Sequence, residues 1–239
     1  MSAVASPEEV VARALAYPFG VPRGSYLLAG GRPLPLEAEP PRAGRVVLAF
    51  GANASPAALA AKLGPLAADA RVPVVEAQLA DFDVVYSAHV SPYGSIPGAL
   101  QHAPGAIAAV HAVHLTDAQL ARVHRSEPNY EFARLDGVRL RVEGGGVLTS
   151  VHAYVSRHGC LRRDGEHVGV AAIPVAGRAW PVLGEAEMLA AARDRLAPGE
   201  DLPGFVLAHV EDPELAARRT AALRETASPL AWPHWEAVA

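Results

Sequence analysis

The alternation of apolar and polar positions divides the chain into three stretches. Ser6-Pro7-Glu8-Glu9 reads as an N-cap, a proline at the first helical position and a capping-box glutamate, which predicts a short helix to about residue 16. Tyr17-Pro18-Phe19-Gly20 breaks it. A strand is expected over 25–29 and a turn at Gly30-Gly31, and Pro33, Pro35, Pro40 and Pro41 then mark an extended connector. Residues 1–43 thus read as an N-terminal helix and arm.

From Arg45 the pattern changes. Val46 to Phe50 is an apolar run suited to a strand buried on both faces; Gly51 to Ala54 is a turn, and Ser55-Pro56 opens a short helix closed by Gly64. Strands are expected over 72–78, 82–88 and 106–115, and the loop 93–97 is rich in turn residues. Thr116-Asp117-Ala118-Gln119 is a capping box for a helix that Glu127-Pro128 ends, since the residue before a proline is pushed out of the α region. Segments 138–142 and 147–155 form a hairpin across Gly144 to Gly146, and no helix follows those glycines to make a phosphate cradle. After Gly159 the chain reads as loop until a helix over 185–196, whose Met188, Leu189, Ala192 and Leu196 make one apolar stripe for packing. A second helix starts at Asp212-Pro213 and runs to about Arg224. The expected fold class is α+β: a mainly antiparallel or mixed sheet with two short helices over 44–155, with 1–43 and a helical extension, 156–239, packed on it.

Composition narrows the chemistry. Hydrophobic residues make up 51% of the 239, and 21 Lys and Arg face 25 Asp and Glu, a formal net charge of -4, so neither global disorder nor a polybasic nucleic-acid surface is expected. Lys62 is the only lysine. One cysteine excludes an intramolecular disulfide, the N-terminus carries Glu8 and Glu9 where a signal peptide needs cations, and no apolar run reaches the ~18 residues of a membrane span. A cytoplasmic protein, monomeric or weakly dimeric, is the expectation.

Two places could carry chemistry. The small-residue turn Phe50-Gly51-Ala52-Asn53 lies between a buried strand and a capped helix, where converging backbone N–H groups suit an anion; its plain alternative is a tight turn that needs glycine for its φ angle. Glu127 stands at the C-terminal end of a helix, where the dipole opposes ionisation, as suits a general acid/base; a merely solvated carboxylate is the plain alternative.

In this order the two elements resemble the gamma-glutamylcyclotransferase-like family. The similar parts are Ala49 to Leu59 (AFGANASPAAL), Val110 to Leu120 (VHAVHLTDAQL) and Ser126 to Tyr130 (SEPNY), within roughly a hundred residues spanning 45–142. The chain departs from the family pattern in having Phe50 for the usual tyrosine, Ala52 for serine, Pro128 for glycine and His124 for a frequent aspartate. The resemblance implies a twisted mixed sheet or partial barrel with short helices around a pocket, and an enzyme that cyclises a gamma-glutamyl amine or peptide to 5-oxoproline and releases the amine. It implies Glu127 as general acid/base, Phe50, Gly51, Ala52, Asn53, Tyr93 and Tyr130 around the substrate, and no metal or other cofactor. The other reading is an inactive domain of this kind that binds a small acidic metabolite or a protein partner through its C-terminal helices and Trp232-Pro233-His234-Trp235. The functional content requires the turn and Glu127 to share a cavity, not to stand more than about 12 Å apart.

Other residues invite weaker readings. His111 and His114, three apart in a strand, point to opposite faces and make a poor metal site, and the remaining histidines have no ligand spacing. Cys160, two residues after His158, has no evident oxyanion motif and reads as structural. Tyr86 reads as a packing residue, and Tyr93 and Ser95 lie where a loop could cover the pocket.

Overall fold

The computed structural model describes residues 5–37 and 44–238. Helix α1 (Pro7–Leu15) carries the expected capping box: the Ser6 hydroxyl accepts from the Glu9 N–H and the Glu9 carboxylate accepts from the Ser6 N–H. Strands β1 (Tyr26–Ala29) and β2 (Arg32–Pro35) pair as a hairpin, so Pro33 and Pro35 of the expected connector lie in a strand, and Pro40 and Pro41 lie outside the described residues. Then come β3 (Arg45–Ala49), α2 (Pro56–Leu63), β4 (Arg71–Tyr86), β5 (Gly98–Leu115), α3 (Asp117–Arg125), β6 (Tyr130–Val142) and β7 (Val147–Ser156). Very short strands lead to α4 (Glu185–Leu196), α5 (Leu202–Glu211), α6 (Pro213–Arg224) and a closing strand, Trp235–Ala237.

Five strands close on themselves: β4 pairs with β5, β5 with β3, β3 with β7, β7 with β6 and β6 with β4. Every pairing is antiparallel except β3 with β7, which is parallel and rests on the single register pair Val47 with His152. The sheet is therefore mixed and the barrel partial, and the fold is α+β.

Three further expectations from the sequence change. The strands expected over 72–78 and 82–88 are one strand, β4, because Asp81 takes φ 65° and absorbs a register shift between Ala80 and Phe82. Strands β5 and β6 begin eight residues earlier than expected, at Gly98 and Tyr130; Pro104-Gly105 in one, and a second register shift beside Gly137 at φ 72° in the other, break the alternation that would have shown them. Helix α5 was not expected, although Asp201 caps it by accepting from the Gly204 N–H; Pro203 and Gly204 lower its propensity.

The sheet draws on both ends of the chain. Strand β1 pairs with β4, Gly169–Val170 also meets β4, Val175–Ala176 pairs with β5 and Trp235–Ala237 with β6. Leu48, Leu79, Phe82, Leu135 and Leu140 fill the main core, and a second core of Leu59, Leu63, Leu120, Val123 and Phe132 lies where α2 and α3 meet the sheet. The C-terminal tryptophans fold back on the molecule: the Trp232 ring lies 5.0 Å from that of Phe82, and its indole N–H donates to the Asp136 carbonyl at 3.0 Å. The α4 stripe packs inward as expected, with Met188, Leu189 and Ala192 buried.

Candidate functional site

The site is assembled at the point where β3, α2 and the end of α3 meet. Phe50 and Gly51 leave β3, and Ala52–Ala54 form one turn of 3-10 helix before Ser55 caps α2. Gly51 has φ −168°, extended backbone open to any residue, which corrects the expectation that a φ angle demands glycine there. What demands it is space: a Cβ on Gly51 would lie 2.2 Å from the Tyr17 hydroxyl. At the other side α3 ends in a tight turn, the Glu127 N–H donating to the His124 carbonyl and the Tyr130 N–H to the Glu127 carbonyl, each at 3.1 Å. That turn delivers Glu127 to the cavity side of the helix end.

The two elements converge directly. Asn53 Nδ2 donates to Glu127 Oε1 at 3.0 Å, within hydrogen-bond distance and far inside the separation that would have broken the link. Lys62, in the last turn of α2, donates from Nζ to Asn53 Oδ1 at 2.8 Å and makes a close ion pair with Glu127 Oε1. The Lys62 and Glu127 side chains are 15% and 9% exposed. Both contacts use Oε1, which leaves Oε2 for a ligand.

Around this trio lies a cavity of about 180 Å³. Tyrosines from three parts of the chain form its walls. The Gly98 N–H donates to the Tyr17 hydroxyl at 2.8 Å and the Tyr130 hydroxyl donates to the Gly98 carbonyl at 2.9 Å, so both backbone groups of that glycine are held by phenols. The Tyr154 hydroxyl meets His124 Nδ1 at 2.9 Å. Burial raises the Tyr17, Tyr130 and Tyr154 pKa values, so all three remain neutral and able to donate. His89 is buried in the wall with Nδ1 2.8 Å from the Ser87 hydroxyl, and burial pushes its pKa down to about 3, which keeps the ring neutral.

The seven residues singled out from the sequence, Phe50, Gly51, Ala52, Asn53, Tyr93, Glu127 and Tyr130, all line this cavity. Tyr86 does not: it is fully buried and donates to the Leu183 carbonyl at 3.0 Å. Ser95 is buried against Ser91, their hydroxyls 3.1 Å apart, and it is Ser91 that reaches the cavity. Sequence reasoning missed Lys62, Tyr17, His89 and Tyr154. Lys62 had a signal, as the single lysine seven residues after the Ser55 cap on the helix following the turn; Tyr17 had none, lying in the arm. The expected setting of Glu127, a helix dipole alone, is incomplete without that ammonium.

Cys160 is not a second site. Cys160 is buried, its thiol donates to the Leu100 carbonyl at 3.3 Å, and burial pushes its pKa up to about 12, so it is no nucleophile near neutral pH. Among the described residues no three His, Cys, Asp or Glu side chains stand together as a metal site, and no helix is long and apolar enough to cross a membrane.

No protein family and no curated protein matches this chain. Among solved structures, a protein of Arabidopsis thaliana determined in solution aligns with a TM-score of 0.35 and 20% identity over 50% of this chain. The alignment spans 66% of that protein, just under two thirds of its length, and a likeness at this level carries no argument about function.

Proposed function

We propose that the protein is a gamma-glutamylcyclotransferase-like enzyme, which converts a gamma-glutamyl amine or peptide to 5-oxoproline and a free amine. The observation that carries this reading is the meeting of Asn53 and Glu127 at 3.0 Å in a cavity walled by neutral phenols. A gamma-glutamyl compound holds its own nucleophile, so no covalent enzyme intermediate is required. The protein has to fold the substrate so that its α-nitrogen approaches the γ-carbonyl carbon. Glu127, through Oε2, takes a proton from the α-ammonium; the freed amine attacks, forming the ring C–N bond and a tetrahedral oxyanion. Collapse breaks the bond to the leaving nitrogen, which receives the proton back from Glu127, and the ring nitrogen gives up its second proton to water, leaving a neutral lactam. Tyr17 brings to the cavity a phenol of the kind that residue 50, a phenylalanine, lacks, and a neutral O–H there suits the developing oxyanion.

One observation favours the second reading, a binding domain for a small acidic metabolite: Glu127 is already engaged by Lys62, and a pair locked in that state could not shuttle protons. A screen of gamma-glutamyl amines and dipeptides, scored by release of 5-oxoproline, separates the two. Turnover is expected, with Glu127→Gln slowing it by about 100-fold or more. Wild-type rates in that variant would remove Glu127 from the mechanism, and binding without turnover by any compound would select the second reading.

A further inference from the structure

A second depression, about 570 Å³ in volume, adjoins the cavity and shares Ala52, Lys62, Tyr93 and Ser126 with it. The inner cavity alone, about 180 Å³, is below the roughly 300–1,000 Å³ of ordinary small-molecule sites. Taken with the adjoining depression it is not. A ligand whose glutamyl end fills the inner cavity therefore places its remaining half in the outer groove.

The groove's charge says what that half is. Arg13 of α1, Arg122 and Arg125 of α3 and Lys62 of α2 line it, with no carboxylate among the lining residues. In a chain with a formal net charge of -4 this is a local reversal of sign. Arg122 and Arg125 are three apart on one helix and so neighbours on its surface. Arg122 donates from Nε to the Leu63 carbonyl at 3.2 Å, which steadies its stem and leaves its other N–H groups unused by that bond. The Arg13 guanidinium lies 5.2 Å from the centre of the Tyr93 ring, at the threshold between the two spaces. Lys62 is paired with Glu127, but among the described residues no carboxylate forms an ion pair with Arg13, Arg122 or Arg125. Three guanidiniums from two helices facing one concavity suit a group with more than one negative charge.

We infer that this groove binds an oligoanionic group, a phosphate or a polycarboxylate, carried on the part of the ligand that leaves as the amine. The identity of that part as a leaving group rests on the cyclotransferase reading; the anion site itself does not. Two measurements on the full chain test it. In the first, inorganic pyrophosphate and tricarballylate are titrated calorimetrically at low salt. At least one of them is expected to bind, about 30-fold or more weakly in Arg122→Gln/Arg125→Gln. Arg13→Gln, on a different helix, is expected to weaken it by a smaller factor, with circular dichroism showing each variant folded. Which probe binds tells phosphate from carboxylate. Absence of binding by both, or binding that none of these substitutions weakens, overturns the inference.

In the second measurement, kcat/KM is compared for gamma-glutamyl conjugates of ethylamine, glycine, glutamate and phosphoethanolamine. The most highly charged is expected to exceed the neutral one by about 100-fold, a ratio that the double arginine variant collapses. Equal values across the series overturn the inference and leave the cyclotransferase reading intact. Arginine-dependent anion binding without turnover of any conjugate does the reverse: the groove stands and that reading falls.

Discussion

Two ion pairs, one sealed in the barrel wall and one beside the cavity, hold a carboxylate in different ways. Asp83 is fully buried on β4 and is gripped by Arg178: Nε lies 3.0 and 2.9 Å from the two carboxylate oxygens and Nη2 2.8 Å from Oδ1. The same guanidinium also donates to the Val170 and Ile173 carbonyls, so it ties the short strands after β7 to the barrel wall. In the Lys62–Glu127 pair the cation is a lysine with one carboxylate oxygen and one amide oxygen as partners, and the second carboxylate oxygen is left toward a cavity. Saturated on both sides, the first pair is a clamp. The second is under-used, and polar capacity held unpaired beside a cavity is what a ligand site requires.

The largest effect expected from this contrast is at the clamp. Asp83→Ala should cost about 3–5 kcal/mol in urea unfolding, because it leaves a guanidinium buried without its counter-charge. Replacing both partners together, Asp83→Leu with Arg178→Met, should recover most of that loss, since no charge is then left to bury. If the single and double variants are equally unstable, the clamp is holding more than a charge pair and the contrast loses one side.

Glu185 is a third buried carboxyl and sharpens the comparison, since it has no cation among its bonded partners. Oε1 accepts from the Ile96 N–H at 2.7 Å, which pins the end of the loop that roofs the cavity, and Oε2 is buried without a partner. Burial pushes its pKa up from 4.5 to about 8. The folded state therefore keeps a proton that the unfolded chain releases near pH 4.5. The stabilisation from that retained proton is complete below pH 4.5 and is lost as the pH rises toward 8 and through it. Glu185→Gln keeps the acceptor for Ile96 and cannot ionise. Stability curves at pH 5, 7 and 9 should show the variant gaining on the wild type as pH rises, by on the order of 3 kcal/mol at pH 9. A constant difference across that range would mean that Glu185 is ionised throughout.

How far such features can be read in advance depends on the range of the physics behind them. The capping boxes at Ser6 and Thr116 and the cap-proline start at Ser55 are local, and each appeared where the sequence put it. The closure of the barrel rests on register shifts beside Asp81 and Gly137, where one positive φ angle hides a strand's continuity from any periodicity. At the site, Asn53 and Glu127 were legible because each belongs to a turn with a local signature. Lys62 showed only as the single lysine on the helix after the turn, since its role depends on α2 packing beside α3, and Tyr17 did not show at all, since nothing near it in sequence shows that the arm returns to Gly51. Arg178 is 95 residues from Asp83 and gives no local sign of the clamp.

The smallest stability effect is expected at the site itself, and it is the one on which the functional reading depends. In Glu127→Gln, a carboxamide can still accept at Oε1 from Asn53 and Lys62, and Lys62 keeps Asn53 Oδ1 while bordering a groove open to water. The loss should be about 1–2 kcal/mol, below that at Asp83, because the ammonium keeps the Asn53 oxygen and the edge of the groove. Lys62→Met removes the ammonium and leaves Glu127 the Asn53 amide and access to the cavity, so a loss of similar size is expected. Turnover should suffer far more, falling by about 100-fold or more in Glu127→Gln although the fold is barely disturbed. A small loss of stability with a large loss of rate is the signature of a residue held for chemistry. A loss of 3 kcal/mol or more with the rate intact would make Lys62–Glu127 a second clamp, alike in kind to Asp83–Arg178, and the cavity beside it would need another explanation.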